Sequence, residues 1–188
     1  MPNLGEAIAQ VRESVVAVMR IREVRRKTKG GKHGKKPVET VDYSLSFGSG
    51  FCVLDDRYIV TAFHVLNEGK APDPTDRHYV FTVPANGEPA YHFPVIAIPV
   101  QHPDLDIAVL EIGPCATPDI HVPAMPVAFQ PFEDGQRVLT VGFPAPEIHG
   151  LNVDAQGNFV AGQFFLKVTP TRALWPRTMI SVRCPSMS

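Results

Sequence analysis

The stretch GSGFCVLDDRYIVTAFHV, at residues 48–65, decides the fold of this sequence. Each half is rich in β-branched and aromatic residues, and the charged residues 55–57 separate the two halves. This pattern is typical of two β-strands joined by a short turn. The second half ends at His64, so we expect an imidazole to be presented where a strand of the sheet ends.

Further strands are predicted on both sides of this stretch. The helical spacing of Leu4, Ile8 and Val11 predicts a short helix up to about Glu13, and valine-rich residues then follow. Nineteen prolines argue against long helices and suit the corners of a β-structure. We therefore predict an all-β protein, in which strand spacing alone leaves a barrel and a sandwich open. The expected strands are residues 14–21, 44–54, 57–61, 78–83, 92–99, 106–112, 137–143 and 158–168.

The composition is that of an ordinary soluble globular protein. The chain has 188 residues, 44% of them hydrophobic, and a formal net charge of −1. It contains no apolar stretch of the roughly 20 residues that a membrane-spanning helix needs, so no membrane association is expected. The first residues lack the features of a secretory signal. The three cysteines, Cys52, Cys115 and Cys184, lack metal-ligand spacing, and we expect a reducing, cytoplasmic setting without a disulfide framework.

Residues 22–36 concentrate positive charge, with eight basic side chains against the single acid Glu23. We interpret this segment as a solvated loop between two strands. The alternative is a patch for nucleic acid or an acidic partner. No aromatic side chain interleaves the basic ones to stack on bases, so we expect no specific nucleic-acid binding.

A second informative stretch, HPDLDIAVL at residues 102–110, follows some forty residues after His64. Together with residues 48–65 it resembles the first barrel of trypsin-like serine peptidases, especially the bacterial HtrA-like branch. The resemblance implies a double β-barrel of trypsin-like fold. It implies a complete first barrel with its short N-terminal helix in residues 1–128, and the start of a second, incomplete barrel in residues 129–188. Residues 141–144, VGFP, resemble a segment near the start of the family's second barrel.

The resemblance also implies the roles of two catalytic residues. His64 matches the general base of the family, and Asp106 matches the carboxylate that orients it. The alternative for His64 is an ordinary core or surface histidine, and for Asp106 a surface acid at the start of a strand. Asp104 is a rival to Asp106, because residues two apart point to the same side of an extended chain. A metal site within residues 102–106 is a weaker alternative, since Pro103 interrupts it and no second cluster matches it.

The nucleophile of the family has no counterpart here. Its serine lies in a Gly-x-Ser-Gly-Gly loop, where main-chain N–H groups converge on the oxyanion. The one Gly-Gly pair is Gly30-Gly31, Ser49 precedes His64 in the wrong order, and no glycine follows Gly162. We therefore expect a serine-type endopeptidase by family that is inactive as this chain stands.

Residues from about 168 onward lose strand alternation, and at most three strands are expected after residue 129. A truncated or frameshifted reading of a longer peptidase would explain this tail. A protein or peptide substrate is expected, with no cofactor and no metal. The alternative function is a non-catalytic, trypsin-like module that binds proteins.

Overall fold

The architecture is known from a computed structural model, which describes residues 4–27, 38–69, 73–82, 90–127, 137–143, 147–165 and 169–174. Within these residues, two short helices and a 3₁₀ turn accompany ten strands. In chain order the elements are α1 (Leu4–Arg12), β1 (Val15–Lys27), β2 (Glu39–Leu54), β3 (Tyr58–Thr61), α2 (Phe63–Asn67), β4 (Arg77–Phe81), β5 (His92–His102), the 3₁₀ turn (Pro103–Leu105), β6 (Ile107–Ile112), β7 (Arg137–Gly142), β8 (Glu147–Val153), β9 (Phe159–Phe165) and β10 (Thr169–Leu174).

The first six strands form a closed antiparallel barrel in the order β1-β2-β3-β6-β5-β4. Strand β1 closes it, because Val18 faces Gly48 of β2 on one side and Val80 of β4 on the other. A closed barrel leaves no unpaired edge among these strands. The all-β prediction and the complete first barrel are confirmed.

Strand β1 explains why the sequence shows an uninterrupted valine-rich run rather than alternation. Val16 and Val18 belong to the cluster of buried side chains that also contains Ile59 and Leu110 from other barrel strands. Ala17 and Met19, which point to the opposite face, are equally buried in a second cluster. Because side chains alternate across a strand, burial of both faces requires apolar residues at every position.

The second cluster joins the barrel to the remainder of the chain. Strand β7 pairs with β10, and β8 pairs with β9, giving two separate two-stranded sheets. Val141 and Phe159 from these sheets, and Phe143 directly after β7, pack with Tyr79 and Phe81 on the barrel. The part of the chain from β7 onward, called the second half below, therefore packs on the outer face of the first barrel. Its described strands form no closed barrel.

Two strands of the second half were not predicted. Strand β8 contains the exposed His149 and Gly150, which hide its pattern. Strand β10 contains Pro170, opposite Val141 of β7. Proline lacks an N–H and occurs at sheet edges, so the sequence pattern favoured irregular structure there. The described residues after 129 contain four strands, one more than we expected.

The interpretation of residues 22–36 as a loop is wrong for its first part. Strand β1 runs to Lys27 and pairs residue by residue with β2 as far as Glu39. This end of the ribbon is exposed from Arg25 onward, so it needs no apolar alternation to be a strand. Residues 28–37 lie outside the described residues. No helix within the described part of the chain is long and apolar enough to cross a membrane.

Candidate functional site

His64 and Asp106 meet because two neighbouring strands run in opposite directions. Strand β3 ends at Thr61, which pairs with Ala108 near the start of β6. Residues that follow β3 and residues that precede β6 therefore lie at the same end of the barrel. The sequence places His64 three residues after Thr61 and Asp106 directly before β6.

His64 and Asp106 form a pair, called the dyad below, and three hydrogen bonds join Asp106 to residues 63–64: one from the His64 ring, one from the His64 main chain and one from the main chain of Phe63. The Nδ1 atom of His64 lies 2.7 Å from Oδ2 of Asp106. The main-chain N–H of His64 donates to Oδ1 of the same carboxylate at 2.9 Å. In addition, the N–H of Phe63 donates to the carbonyl of Asp106 at 3.1 Å. An ionised carboxylate only accepts, so Nδ1 must carry the proton in this contact. In the neutral ring, Nε2 is then left with a free lone pair.

Asp106 reaches His64 through an uncommon backbone conformation. It follows the 3₁₀ turn of residues 103–105, and its N–H donates to the carbonyl of Pro103 at 3.1 Å. Its φ of 53° and ψ of 43° lie in the left-handed region, which Asp and Asn enter more readily than most residues. Asp104 and Asp106 would point to the same side only if the chain were extended between them. The 3₁₀ turn excludes this, and the structure brings Asp106 to the imidazole.

The dyad lies at the surface. The side chain of His64 is 65% exposed and that of Asp106 is 50% exposed. The main-chain N–H of His64, followed by its ring, lowers the pKa of the Asp106 carboxyl by hydrogen bonding to the charged form. Asp106 is therefore ionised at neutral pH. An exposed imidazole beside a fixed carboxylate can accept a proton from an approaching group and return it.

Helix α2 holds His64 in its first turn and is anchored by apolar burial. Val65 and Leu66 are buried in the barrel-interior cluster. Gly48 of β2 permits this approach, because a Cβ at that position would lie 2.3 Å from Cγ2 of Val65. Ala62, the residue before the helix, has no side chain that could cap it. Asp106, from another part of the chain, supplies the acceptors for the N–H groups of His64 and Phe63.

A cavity of about 720 Å³ adjoins the dyad. Asp106 lies on its wall, and the remaining lining is mostly apolar. Val60, Ile107 and Met125 are among these apolar residues, together with Val141 of β7. The cavity therefore lies where the barrel meets the second half of the chain, and it could receive an apolar side chain next to the dyad.

Residues 102–106 do not converge on one point, as a metal site would require. His102 accepts a hydrogen bond from the N–H of Leu105 through Nδ1, at 3.3 Å. Asp106 instead turns to His64. Among the described residues, no group of three or more His, Cys, Asp or Glu is arranged to hold a metal ion.

Ser49, the serine that lies between two glycines, makes main-chain contacts. Its Oγ accepts the N–H of Phe143 at 2.7 Å, and its carbonyl accepts the hydroxyl of Thr61 at 2.8 Å. These contacts connect β2 to the residue that follows β7 and to β3. Ser49 thus joins the two halves of the chain.

Sequence reasoning missed the polar residues beneath α2. Arg20 is 1% exposed and lies 3.1 Å from Glu68, and His78 contacts the carbonyl of Leu66. One signal was available for Arg20. It interrupts an otherwise apolar run on the face of β1 that also carries Val16 and Val18, where a charge is unexpected.

The family described as the trypsin-like peptidase domain matches residues 48–183, which is most of the chain. No match to a curated protein is found. Among solved structures, the chain is similar to AlgW, an HtrA-type protease solved as a Ser-to-Ala variant with a decapeptide. The TM-score is 0.52 at 14% sequence identity, over 95% of this chain and 47% of that chain. The chain thus spans about half of that protein, and the trypsin-like fold expected from the sequence is confirmed.

Proposed function

Because the chain belongs to the family of trypsin-like peptidase domains, we propose that it provides the base and the orienting acid of a serine endopeptidase. His64 is the general base of this site, and Asp106 is the carboxylate that orients it. The observation that carries the proposal is the 2.7 Å contact between Nδ1 of His64 and Oδ2 of Asp106. This contact leaves Nε2 unprotonated in the neutral ring, as a base requires.

The proposed reaction is acyl transfer through two proton transfers. A serine hydroxyl attacks the carbonyl carbon of a peptide bond while its proton passes to Nε2 of His64. The C–N bond then breaks as the same proton moves to the leaving amine. Water repeats the sequence on the acyl-enzyme and regenerates the serine. Throughout, Asp106 remains ionised, fixes the tautomer of His64 and stabilises the imidazolium.

We also propose that this chain, by itself, has no activity that depends on a Ser-His-Asp triad. No serine lies in a glycine-built loop that could hold the oxyanion. We propose a protein or peptide as the substrate, which is supported by the decapeptide present with the similar HtrA-type protease.

Labelling with a fluorophosphonate probe tests the inactivity directly. We expect no labelling of this chain, and labelling that disappears in His64→Ala would contradict the proposal. The role of the dyad is tested by reading the coding DNA beyond codon 160 in all frames and expressing any continuation that encodes Gly-x-Ser-Gly-Gly. Peptide hydrolysis by that product should fall about 10⁴-fold in Asp106→Asn. Unchanged hydrolysis would reject the assignment.

A second candidate function is a non-catalytic module that binds proteins. The apolar cavity beside Asp106 favours it, because such a surface can bind a side chain without chemistry. Binding of a peptide library should then survive His64→Ala but weaken in Met125→Ser, which makes the cavity wall polar. Peptide binding that depends on neither residue would reject this alternative.

A further inference from the structure

Helix α2 is too short to determine the position of His64 by itself. It spans five residues, whereas isolated helices need more than about 12 residues to be even marginally stable in water. Its position must therefore come from contacts with the barrel. Asp106 holds the first turn, and Val65 and Leu66 provide apolar contacts. The far end of the helix is held by polar contacts.

His78 of β4 makes the first of these contacts. Its Nε2 lies 3.0 Å from the carbonyl oxygen of Leu66. A carbonyl only accepts, so Nε2 is the donor. Burial lowers the pKa of His78, which leaves the ring neutral at pH 7. His78 thus satisfies a helix-end carbonyl that has no partner within the helix.

Arg20 of β1 makes the second contact. Its Nη2 lies 3.1 Å from Oε1 of Glu68, the residue that ends α2 in a left-handed conformation. The N–H of Glu68 donates to the carbonyl of His64 at 2.6 Å. A short chain of contacts therefore leads from the barrel strand, through Glu68, to the backbone of His64.

Stability alone does not account for Arg20. Its guanidinium is 1% exposed, and Nε and Nη1 have no hydrogen-bond partner among the described residues. A buried charge with one carboxylate partner is commonly no more stable than an apolar side chain of the same size. Such a residue is better explained by the geometry that it imposes on its partner.

We propose that Arg20, Glu68 and His78 are positioning residues, which clamp the end of α2 so that Nδ1 of His64 stays on Asp106. This inference rests on the proposed function of His64. The three residues act through α2 and through the backbone of His64. Loss of the clamp frees the helix to shift, and the imidazole then divides its time between the bound orientation and others.

The test is NMR of the ¹⁵N-labelled chain, which reports the tautomer of His64 and the exchange rate of the Glu68 amide. We expect Nδ1–H to predominate in the wild type. In His78→Leu and Arg20→Met, its population should fall and the Glu68 amide should exchange about tenfold faster. His78→Gln retains a donor for the Leu66 carbonyl and should stay close to the wild type.

Ile21→Val is the matched control for general destabilisation. Ile21 is buried next to Arg20 but packs in the cluster on the opposite face of β1. It should leave both signals unchanged. Wild-type values in both His78→Leu and Arg20→Met would overturn the proposal, as would equal changes in Ile21→Val. If Arg20→Met does not fold, the two His78 variants decide the outcome.

Neither signal depends on peptidase activity. Hydrolysis is measured on the continued product that carries Gly-x-Ser-Gly-Gly. If the tautomer depends on the clamp but that hydrolysis does not need His64, the peptidase is rejected and the positioning role stands. If that hydrolysis needs His64 but the tautomer does not depend on the clamp, the positioning role alone is rejected.

Discussion

Asp106 receives two hydrogen bonds from His64, one from the ring at 2.7 Å and one from the main-chain N–H at 2.9 Å. One carboxylate therefore fixes both the orientation of the imidazole and the start of the helix that carries it.

Asp106→Asn should reverse the tautomer of His64. An amide has only one acceptor oxygen, which the main-chain N–H of His64 would occupy. The NH₂ group would then face Nδ1 of the ring, and Nδ1 would have to accept a hydrogen bond from it. The proton then resides on Nε2, where it blocks a base. Imidazole ¹⁵N shifts will measure the change. Asp104→Asn is the control, since Asp104 makes no hydrogen bond with His64 in the described structure, and it should keep the Nδ1–H form. A reversal in Asp104→Asn would contradict the assignment.

Gly48→Ala should destabilise the protein by about 1–3 kcal/mol, the usual cost of overpacking. The added methyl group would lie 2.3 Å from Cγ2 of Val65 and push α2 away from β2. Urea unfolding will measure the loss. Gly150→Ala, where a Cβ meets nothing within 4 Å, is the control. Val65→Ala added to Gly48→Ala should recover part of the loss, and failure to do so would argue against this contact.

The lowered pKa of Asp106 predicts a loss of stability in acid. The folded-state pKa lies below the unfolded value of about 3.9. The contribution of this carboxylate is therefore complete above the unfolded value and disappears as pH falls through the folded value. Carboxyl ¹³C shifts should show Asp106 titrating below an ordinary Asp. The free energy of unfolding should fall less steeply with decreasing pH in Asp106→Asn than in the wild type. An equally steep fall in both proteins would contradict the prediction.

Ser49→Ala should weaken the contact between the two halves of the chain. It leaves the N–H of Phe143 without its acceptor, which costs about 1–3 kcal/mol when the group is buried. Ser46→Ala is a matched control, because the buried Oγ of Ser46 has no hydrogen-bond partner in the described structure. Thermal unfolding should separate the two variants. Equal losses would show that the Phe143 contact is unimportant.

Much of this fold could be predicted because local pattern and burial agree. The family resemblance drawn from residues 48–65 and 102–110 is confirmed by the family match. The helix before β1 and most barrel strands were also predicted correctly. The exceptions have local causes. Pro170 and Gly150 carry little strand signal, and the exposed ribbon ending at Lys27 has no apolar face to reveal it.

The proximity of His64 and Asp106 was predictable from the sequence, but the contacts that hold them in place were not. His64 and Asp106 stand next to strands that the sequence marks clearly, and the structure brings them together. The left-handed backbone of Asp106 depends on a 3₁₀ turn, which no periodic pattern in the sequence predicts. Contacts such as Arg20 with Glu68 join residues 48 positions apart, so they depend on the closed barrel rather than on local sequence.

The strand order of the barrel also governs when the dyad comes into being. His64 precedes Asp106 by 42 residues, and both β4 and β5 lie between them in the chain. Contacts over such separations form late, because a long loop must close first. During synthesis, the ribosome releases the imidazole well before its carboxylate. The contact between His64 and Asp106 can therefore form only after the first five strands of the barrel have been synthesised.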